Sequence, residues 1–354
     1  MMPDKEFDSA VKYDSPDVVI PQDLVDCAKV SIIKQLEYLF ASGVTYPNIY
    51  DHLGDVDLTT SCGFPHCTCF SNKEKFFSHE EVMMQLLRED LDGSWRRDYL
   101  WTGFIKSEII KRSKKGRQIC GCEAAFLYHL FPLVHHFNKT IEVAGIGLPL
   151  YLGTVSLGKG FHTYSEQFDG CKYMLSLDAS KFDSSVSSQM YDAVVDIRKR
   201  FIDPIYHDKL EFLYSQISRK NIVEGDGAIV NTMHGTPSGQ PSTAHDNSLI
   251  MWLLLNVCLS EYYSFDEIVE EVEMAIYGDD AVIGFYDEPR FQPTDLKELM
   301  SACGVTIKCS LSWQTFEHVD FLSVLPKYHK GGYVPIMQRH EKLLASMYHE
   351  DTPD

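Results

Sequence analysis

Residues 274–285 read MAIYGDDAVIGF, two apolar runs meeting at Gly278 and Asp279 with Asp280 directly after. A Gly-Asp pair between two β-forming runs is a hairpin signal, because the tight turns that match strand twist need residues tolerating positive φ. This reading puts two adjacent acids, Asp279 and Asp280, at a hairpin tip. Upstream, KYMLSLD at 172–178 reads as a short buried strand ending in a third acid, Asp178. If these strands share one antiparallel sheet with helices behind it, three carboxylates gather at one end. Hard divalent cations take oxygen ligands, typically one or two carboxylates plus substrate phosphates, and a pair of ions can activate an attacking oxygen while stabilising a leaving one. Phosphoryl transfer suits that donor set. Gly-Asp-Asp is also an ordinary polar turn, so its company decides.

The company is unusual. KSEIIKRSKKGR at 106–117 packs six basic residues into twelve, in a chain whose 51 acidic and 32 basic residues leave a net charge of −19. Such a chain repels polyanions as a whole, so any contact with nucleic acid or triphosphate has to be local. The basic run is the place for it, the alternative being a solvated basic face. TMHGTPSGQPSTAHDN at 232–247 is a Gly, Pro and Ser loop feeding a long helix, with Leu249, Ile250, Leu253, Leu254, Val257 and Cys258 at helical spacing. Another helix starts near Ser187 with Met190, Ala193, Val194, Ile197 and Phe201 on one face. DLKELMSACG reads as a helix stopped by Gly304 and followed by a strand from Val305 to Lys308, and FLSVLPKYHKGGYVPIM as a hairpin turning at Gly331 and Gly332. Near the N-terminus, Leu24, Val25, Ala28, Ile32, Leu36 and Leu39 mark an amphipathic helix, expected to be a docking arm.

With 354 residues, 44% hydrophobic and 12% aromatic, the chain suffices for one large domain or a few subdomains sharing a core. Collagen-like, disordered and small disulfide-framework classes are excluded. Ten cysteines without a cationic and apolar leader point to thiols in a reducing compartment. The longest apolar stretch, Leu249 to Leu259, is interrupted by Asn256 and falls short of the roughly 20 residues that cross a bilayer. Cys62, His66, Cys67 and Cys69 sit too close in sequence for the usual zinc spacings, and Cys120 and Cys122 read as buried strand residues.

Several ordered motifs together resemble the RNA-dependent RNA polymerases of positive-strand RNA viruses, in the broad group that includes picornaviruses, caliciviruses and astroviruses. LDASKFD, Leu177 to Asp183, is similar to the family's motif A; SGQPSTAHDN, Ser238 to Asn247, to motif B; YGDD, Tyr277 to Asp280, to motif C. SCGFP at Ser61 to Pro65 resembles motif G, KSEIIKRSKKGRQI at Lys106 to Ile119 motif F, the helix and strand before Lys308 motif D, and FLS at Phe321 to Ser323 motif E.

The resemblance implies an α+β right-handed palm and fingers, with an antiparallel palm sheet backed by helices. Residues 1–55 would be an N-terminal arm, 56–170 fingers, 171–325 palm with a fingers insertion around 200–235, and 326–354 the start of a short or truncated thumb. It further implies two Mg²⁺ or Mn²⁺ ions on Asp178 and Asp279, with Asp280 as a secondary ligand or a support of the hairpin. Lys308 would protonate the leaving pyrophosphate, against the alternative of a solvated lysine closing a strand. Lys106, Arg112 and Arg117, with Lys114 and Lys115 as further candidates, would cradle the triphosphate. Asp183, Ser238, Thr243 and Asn247 would detect the ribose 2′-hydroxyl. Helix capping is the ordinary alternative for Ser242 and Thr243, but explains nothing for Asn247. Gly239 would let the motif B loop flex.

The implied partners are RNA template and product, NTPs and other viral replication proteins, with no direct membrane span, in replication complexes of the host cytoplasm. Only 31 residues follow Ser323, so the thumb is minimal or the chain is a piece of a longer polyprotein. The acidity is also unusual for a protein that holds a duplex. Two rivals stay open. A reverse transcriptase shares the palm, but usually carries a bulky aromatic where Asp183 stands. An idle RNA-binding scaffold subunit is the other, although three neighbouring acids repel one another and cost stability without a metal.

Overall fold

The computed structural model describes residues 17–40, 53–105, 118–144, 147–153, 159–338 and 344. The helices that carry the core are α1 (Gln22–Glu37), α2 (Ala124–Ala144), α3 (Ser188–Lys199), α4 (His207–Ser218), α5 (Thr243–Leu259) and α6 (Pro293–Ala302). The strands are β1 (Leu100–Ile105), β2 (Gln118–Cys122), β3 (Tyr173–Ala179), β4 (Lys220–Val223), β5 (Ile229–Thr232), β6 (Val272–Tyr277), β7 (Asp280–Phe285), β8 (Ile307–Lys308), β9 (Val324–His329) and β10 (Gly332–Met337). A mixed sheet runs β2-β1-β4-β5, an antiparallel sheet runs β6-β7-β3-β8, and β9 with β10 forms a hairpin. The fold is α+β.

Every residue of α5 from Asp246 to Leu259 is buried. A helix apolar all round has to be surrounded, and α5 is, by α1, α3, α6 and β6. The amphipathic helix expected as a docking arm is α1, and it docks on this chain: Val25, Ala28, Ile32 and Leu36 are wholly buried, against α3 and α5. Helix α3 starts as expected, with Ser187 as N-cap accepting from the Met190 amide at 3.3 Å.

The antiparallel sheet explains its own sequence. Leu175, Leu177, Ala281 and Ile283 join the main core, while Met174, Ala275 and Val282 join a second cluster built on Tyr151, Tyr164, Phe168, Phe316 and Phe321. Strands covered on both faces read as continuous apolar runs, which is why Ala281–Phe285 shows no alternation. Tyr277 pairs with Asp280, leaving Gly278 and Asp279 as a two-residue loop. Of the two only Gly278 has positive φ, +61°, the type II′ pattern with glycine first.

Two expectations at the C-terminal side need correction. The strand before Lys308 is only Ile307–Lys308, because the Val305 amide bonds back to the Met300 carbonyl at 2.9 Å around Gly304 (φ +85°). That bond closes the end of α6 in Schellman fashion and withholds Val305 from the ladder. The last hairpin turns at Lys330 and Gly331, with φ of 48° and 93°, and not at Gly331 and Gly332. Gly332 already pairs with His329. Among the described residues no helix is long and apolar enough to cross a membrane.

Candidate active site

The register of the antiparallel sheet brings the acids together. Asp178, at the end of β3, lies opposite Asp280 of β7 on one side and opposite Lys308 of β8 on the other. Asp279 occupies the adjoining turn, where its carbonyl accepts from the Ala179 amide at 3.4 Å. Buried Leu177 and Ala179 flank Asp178 and force its side chain to the opposite, exposed face of the strand. Lys308 Nζ donates to Asp178 Oδ2 at 3.1 Å. Both side chains are well exposed, so this pair contributes at most about 1 kcal/mol.

Asp178 and Asp279 are exposed and Asp280 is half-buried, all at one end of one sheet, so the donor set fits a hard divalent ion. Among the described residues no group of three His, Cys, Asp or Glu side chains is gathered to hold one ion. An ion here would therefore take one or two carboxylates and complete its shell from phosphates, the habit of Mg²⁺.

Beside the acids stands a polar set on α5 and the short helix Phe182–Ser185. Asn247 Nδ2 donates to Asp183 Oδ1 at 3.1 Å, and Asn247 Oδ1 accepts from Thr236 Oγ1 at 3.0 Å. Thr236 Oγ1 in turn accepts from the Tyr191 hydroxyl at 2.7 Å. The structure thus joins Asp183 to Asn247, while Thr243 turns away: its hydroxyl donates to the carbonyls of Gln240 (2.9 Å) and Ser238 (3.2 Å). Ser238 Oγ is buried and makes no hydrogen bond among the described residues. Gly239 has a steric reason to be glycine. Its amide donates to the Cys120 carbonyl at 2.9 Å, and a Cβ there would meet that oxygen at 2.6 Å and Gly121 Cα at 2.9 Å.

At the end of β2, Gly63 of the SCGFP loop, with φ of +70°, approaches so closely that a Cβ would meet the Cys122 carbonyl at 2.7 Å. Cys120 and Cys122 are buried strand residues, as expected. Cys62 is buried and donates its thiol to the Phe70 carbonyl at 3.3 Å, whereas Cys67 and Cys69 are exposed. Ile105 and Gln118, the described residues on either side of the basic run, pair with each other. Lys106, Arg112, Lys114, Lys115 and Arg117 themselves lie outside the described residues.

What the sequence reading missed lies under the loop. Arg198 of α3 is fully buried, with Nη2 2.7 Å from Asp246 Oδ1, 2.6 Å from Ser242 Oγ and 3.0 Å from Asn138 Oδ1. Asp246 also accepts from the Tyr214 hydroxyl at 3.0 Å and from Gln240 Nε2 at 2.8 Å. Phe137 lies under the guanidinium, 4.6 Å from ring centre to Cζ. This network ties α2, α3 and α4 to the start of α5. Burial holds the Tyr214 and Tyr191 hydroxyls far above the ordinary tyrosine range, so both stay neutral donors. The available signal was Asp246 itself, an acid in an otherwise apolar helix that has to find partners.

The family described as viral RNA-dependent RNA polymerase matches residues 3–353. This chain belongs to that family. Among the relatives of this chain, the genome polyprotein of Brome streak virus (strain German) is 23% identical over 350 residues, covering 94% of this chain and 37% of the polyprotein. Genome polyprotein 1 of Barley mild mosaic virus (strain Na1) is 28% identical over 262 residues, 70% of this chain and 11% of the polyprotein. The Beet mosaic virus genome polyprotein is 26% identical over 324 residues, 87% of this chain and 10% of the polyprotein. The chain thus spans well under half the length of these relatives.

Proposed function

We propose that this chain is an RNA-directed RNA polymerase, transferring NMP from NTP to an RNA 3′-hydroxyl under the direction of an RNA template. The observation that carries the reading is the register that sets Asp178 opposite Asp280, with Asp279 in the adjoining turn. These carboxylates would hold Mg²⁺ or Mn²⁺, with Asp178 and Asp279 as the main ligands. When bound, such ions supply positive charge for in-line phosphoryl transfer and activation of the attacking hydroxyl.

The chain's own residues do the rest. Asp183 and Asn247, joined by their hydrogen bond, form the polar surface against which a ribose 2′-hydroxyl is read, with Asn247 held in place by Thr236. Ser238 Oγ, buried without a partner among the described residues, joins that set through the loop that Thr243 braces. Lys308 stands beside Asp178 and donates a proton toward the departing pyrophosphate. Lys106, Arg112 and Arg117 hold the triphosphate oxygens in a chain that otherwise repels them. In domain terms, 171–325 is the palm, 56–170 with the insertion around 200–235 the fingers, 1–55 the arm and 326–354 the beginning of the thumb. RNA, NTPs and other viral replication proteins are the partners, in the host cytoplasm.

A primed RNA template, labelled UTP and Mg²⁺ or Mn²⁺ test this directly on a gel. Extension by the chain, abolished in Asp279→Asn and milder in loss for Asp280→Asn, supports the reading. A chain that binds RNA but never extends it, with either ion, would be a scaffold instead.

A further inference from the structure

A two-residue hairpin leaves its central amides outside the ladder, and a buried amide without an acceptor costs about 1–3 kcal/mol. In the Gly278–Asp279 turn, the Gly278 amide is buried and donates to Ser248 Oγ at 2.7 Å. Ser248 is wholly buried and donates its own proton one turn back, to the Ala244 carbonyl at 2.7 Å. That second bond fixes the hydroxyl rotor so that a lone pair faces Gly278. A Cβ at Gly278 would meet nothing within 4 Å, so the space beside its α-carbon is open. The neighbouring residue on α5 is Asn247, bonded to Asp183. Consecutive residues of one buried helix therefore touch the sugar-reading pair and the acid-bearing turn. The start of that helix is anchored in turn by Arg198 and Asp246.

We propose that Ser248 is a positioning residue: its hydroxyl sets the height of the Gly278–Asp279 turn relative to α5, and so the place of the Asp279 and Asp280 carboxylates relative to the nucleotide sugar. The inference rests on the polymerase reading, and deepens it by naming the link between substrate selection and the ion-binding carboxylates.

The test compares wild type, Ser248→Ala and Ser248→Thr, which keeps the hydroxyl, in the full chain. Mn²⁺ binding is read by titration calorimetry, folding by thermal melting, and turnover by primed extension with UTP and dUTP. Ser248→Ala should weaken Mn²⁺ binding and lower kcat about tenfold, leave KM for UTP within about twofold, and lower turnover on both nucleotides alike. Melting should fall by only a few degrees, and Ser248→Thr should restore both ion binding and kcat. Should the alanine variant not fold, Ser248→Cys, of similar volume but a weaker acceptor, carries the same comparison. Wild-type Mn²⁺ affinity and kcat in a folded Ser248→Ala overturn the inference. A wild type that extends no primer, yet binds Mn²⁺ more tightly than Ser248→Ala, overturns the polymerase reading and supports the positioning role.

Discussion

Lys308 Nζ lies 3.1 Å from Asp178 Oδ2, on the strand next to the acid that heads the candidate ion site. The pair gives Lys308 two separable effects. As a proton donor to pyrophosphate, its loss lowers turnover; as a competitor for Asp178, its loss eases ion binding.

Lys308→Ala should therefore lower kcat while reducing the Mg²⁺ concentration needed for half activity, by no more than about fivefold for an exposed pair. Magnesium titrations of primed extension check both. An unchanged kcat makes Lys308 a solvated lysine with an ion pair and nothing more.

Asn247→Ala removes the donor to Asp183 and the acceptor from Thr236 together. A site built to bond a hydroxyl rejects the analogue lacking it by leaving polar groups unpaired. The UTP over dUTP preference should then fall by about tenfold or more, with a stability loss of about 1–3 kcal/mol from the bonds broken. Paired UTP and dUTP kinetics decide it, and an equal loss on both nucleotides would sink the sugar-reading role.

Arg198 and Asp246 are both fully buried. Removing one partner strands the other charge, so Arg198→Met and Asp246→Leu should each cost about 3–5 kcal/mol. The double variant should cost clearly less than the sum of the two, as expected for groups in direct contact. Urea unfolding of the four proteins measures the cycle, and additive losses would mean that the pair is not coupled.

His245 makes stability depend on pH. Burial, reinforced by Arg198, pulls its imidazole down to about 4, despite Glu142 Oε1 at 3.1 Å. Between the ordinary histidine value of about 6.5 and about 4, the unfolded chain takes up a proton that the folded chain refuses. Stability from this group is thus lost as pH falls through that window. Glu123 acts in the opposite sense: burial pushes its carboxyl up to about 7, against Arg97, so its contribution is full below about 4.5 and lost as pH rises through 7. Urea unfolding at pH 7, 6 and 5 should show wild type losing stability relative to His245→Gln as the pH falls, since the Glu123 contribution is common to both. Parallel pH slopes would refute the assignment.

Much of the site is legible along the chain because its signals are local. The hairpin at Gly278, the cap at Ser187 and the stop at Gly304 each depend on φ preferences or on a bond to a residue a few positions away. Gly239 shows the limit. The resemblance implies a loop that flexes there, and the structure adds that Cys120, more than a hundred residues earlier, lies so close that a Cβ would collide with it. The misplaced turn at Lys330 and the shortened strand at Ile307 fail for a similar reason, since ladder register and helix closure draw on bonds that periodicity does not contain.

By itself the sequence determined the chemical kinds: one acid at a strand end and two at a hairpin tip, an asparagine inside an apolar helix, and a basic run in an acidic chain. Those follow from residue type and spacing, which are one-dimensional. Only the tertiary structure decided which of them meet. The β3–β7 register put Asp178 opposite Asp280, the β8 edge gave Asp178 a lysine, and the burial of α5 forced Asp246, Asn247 and Ser248 to find Arg198, Asp183 and Gly278. A polar group in the core has to be satisfied, and its partner is set by packing between segments far apart in sequence.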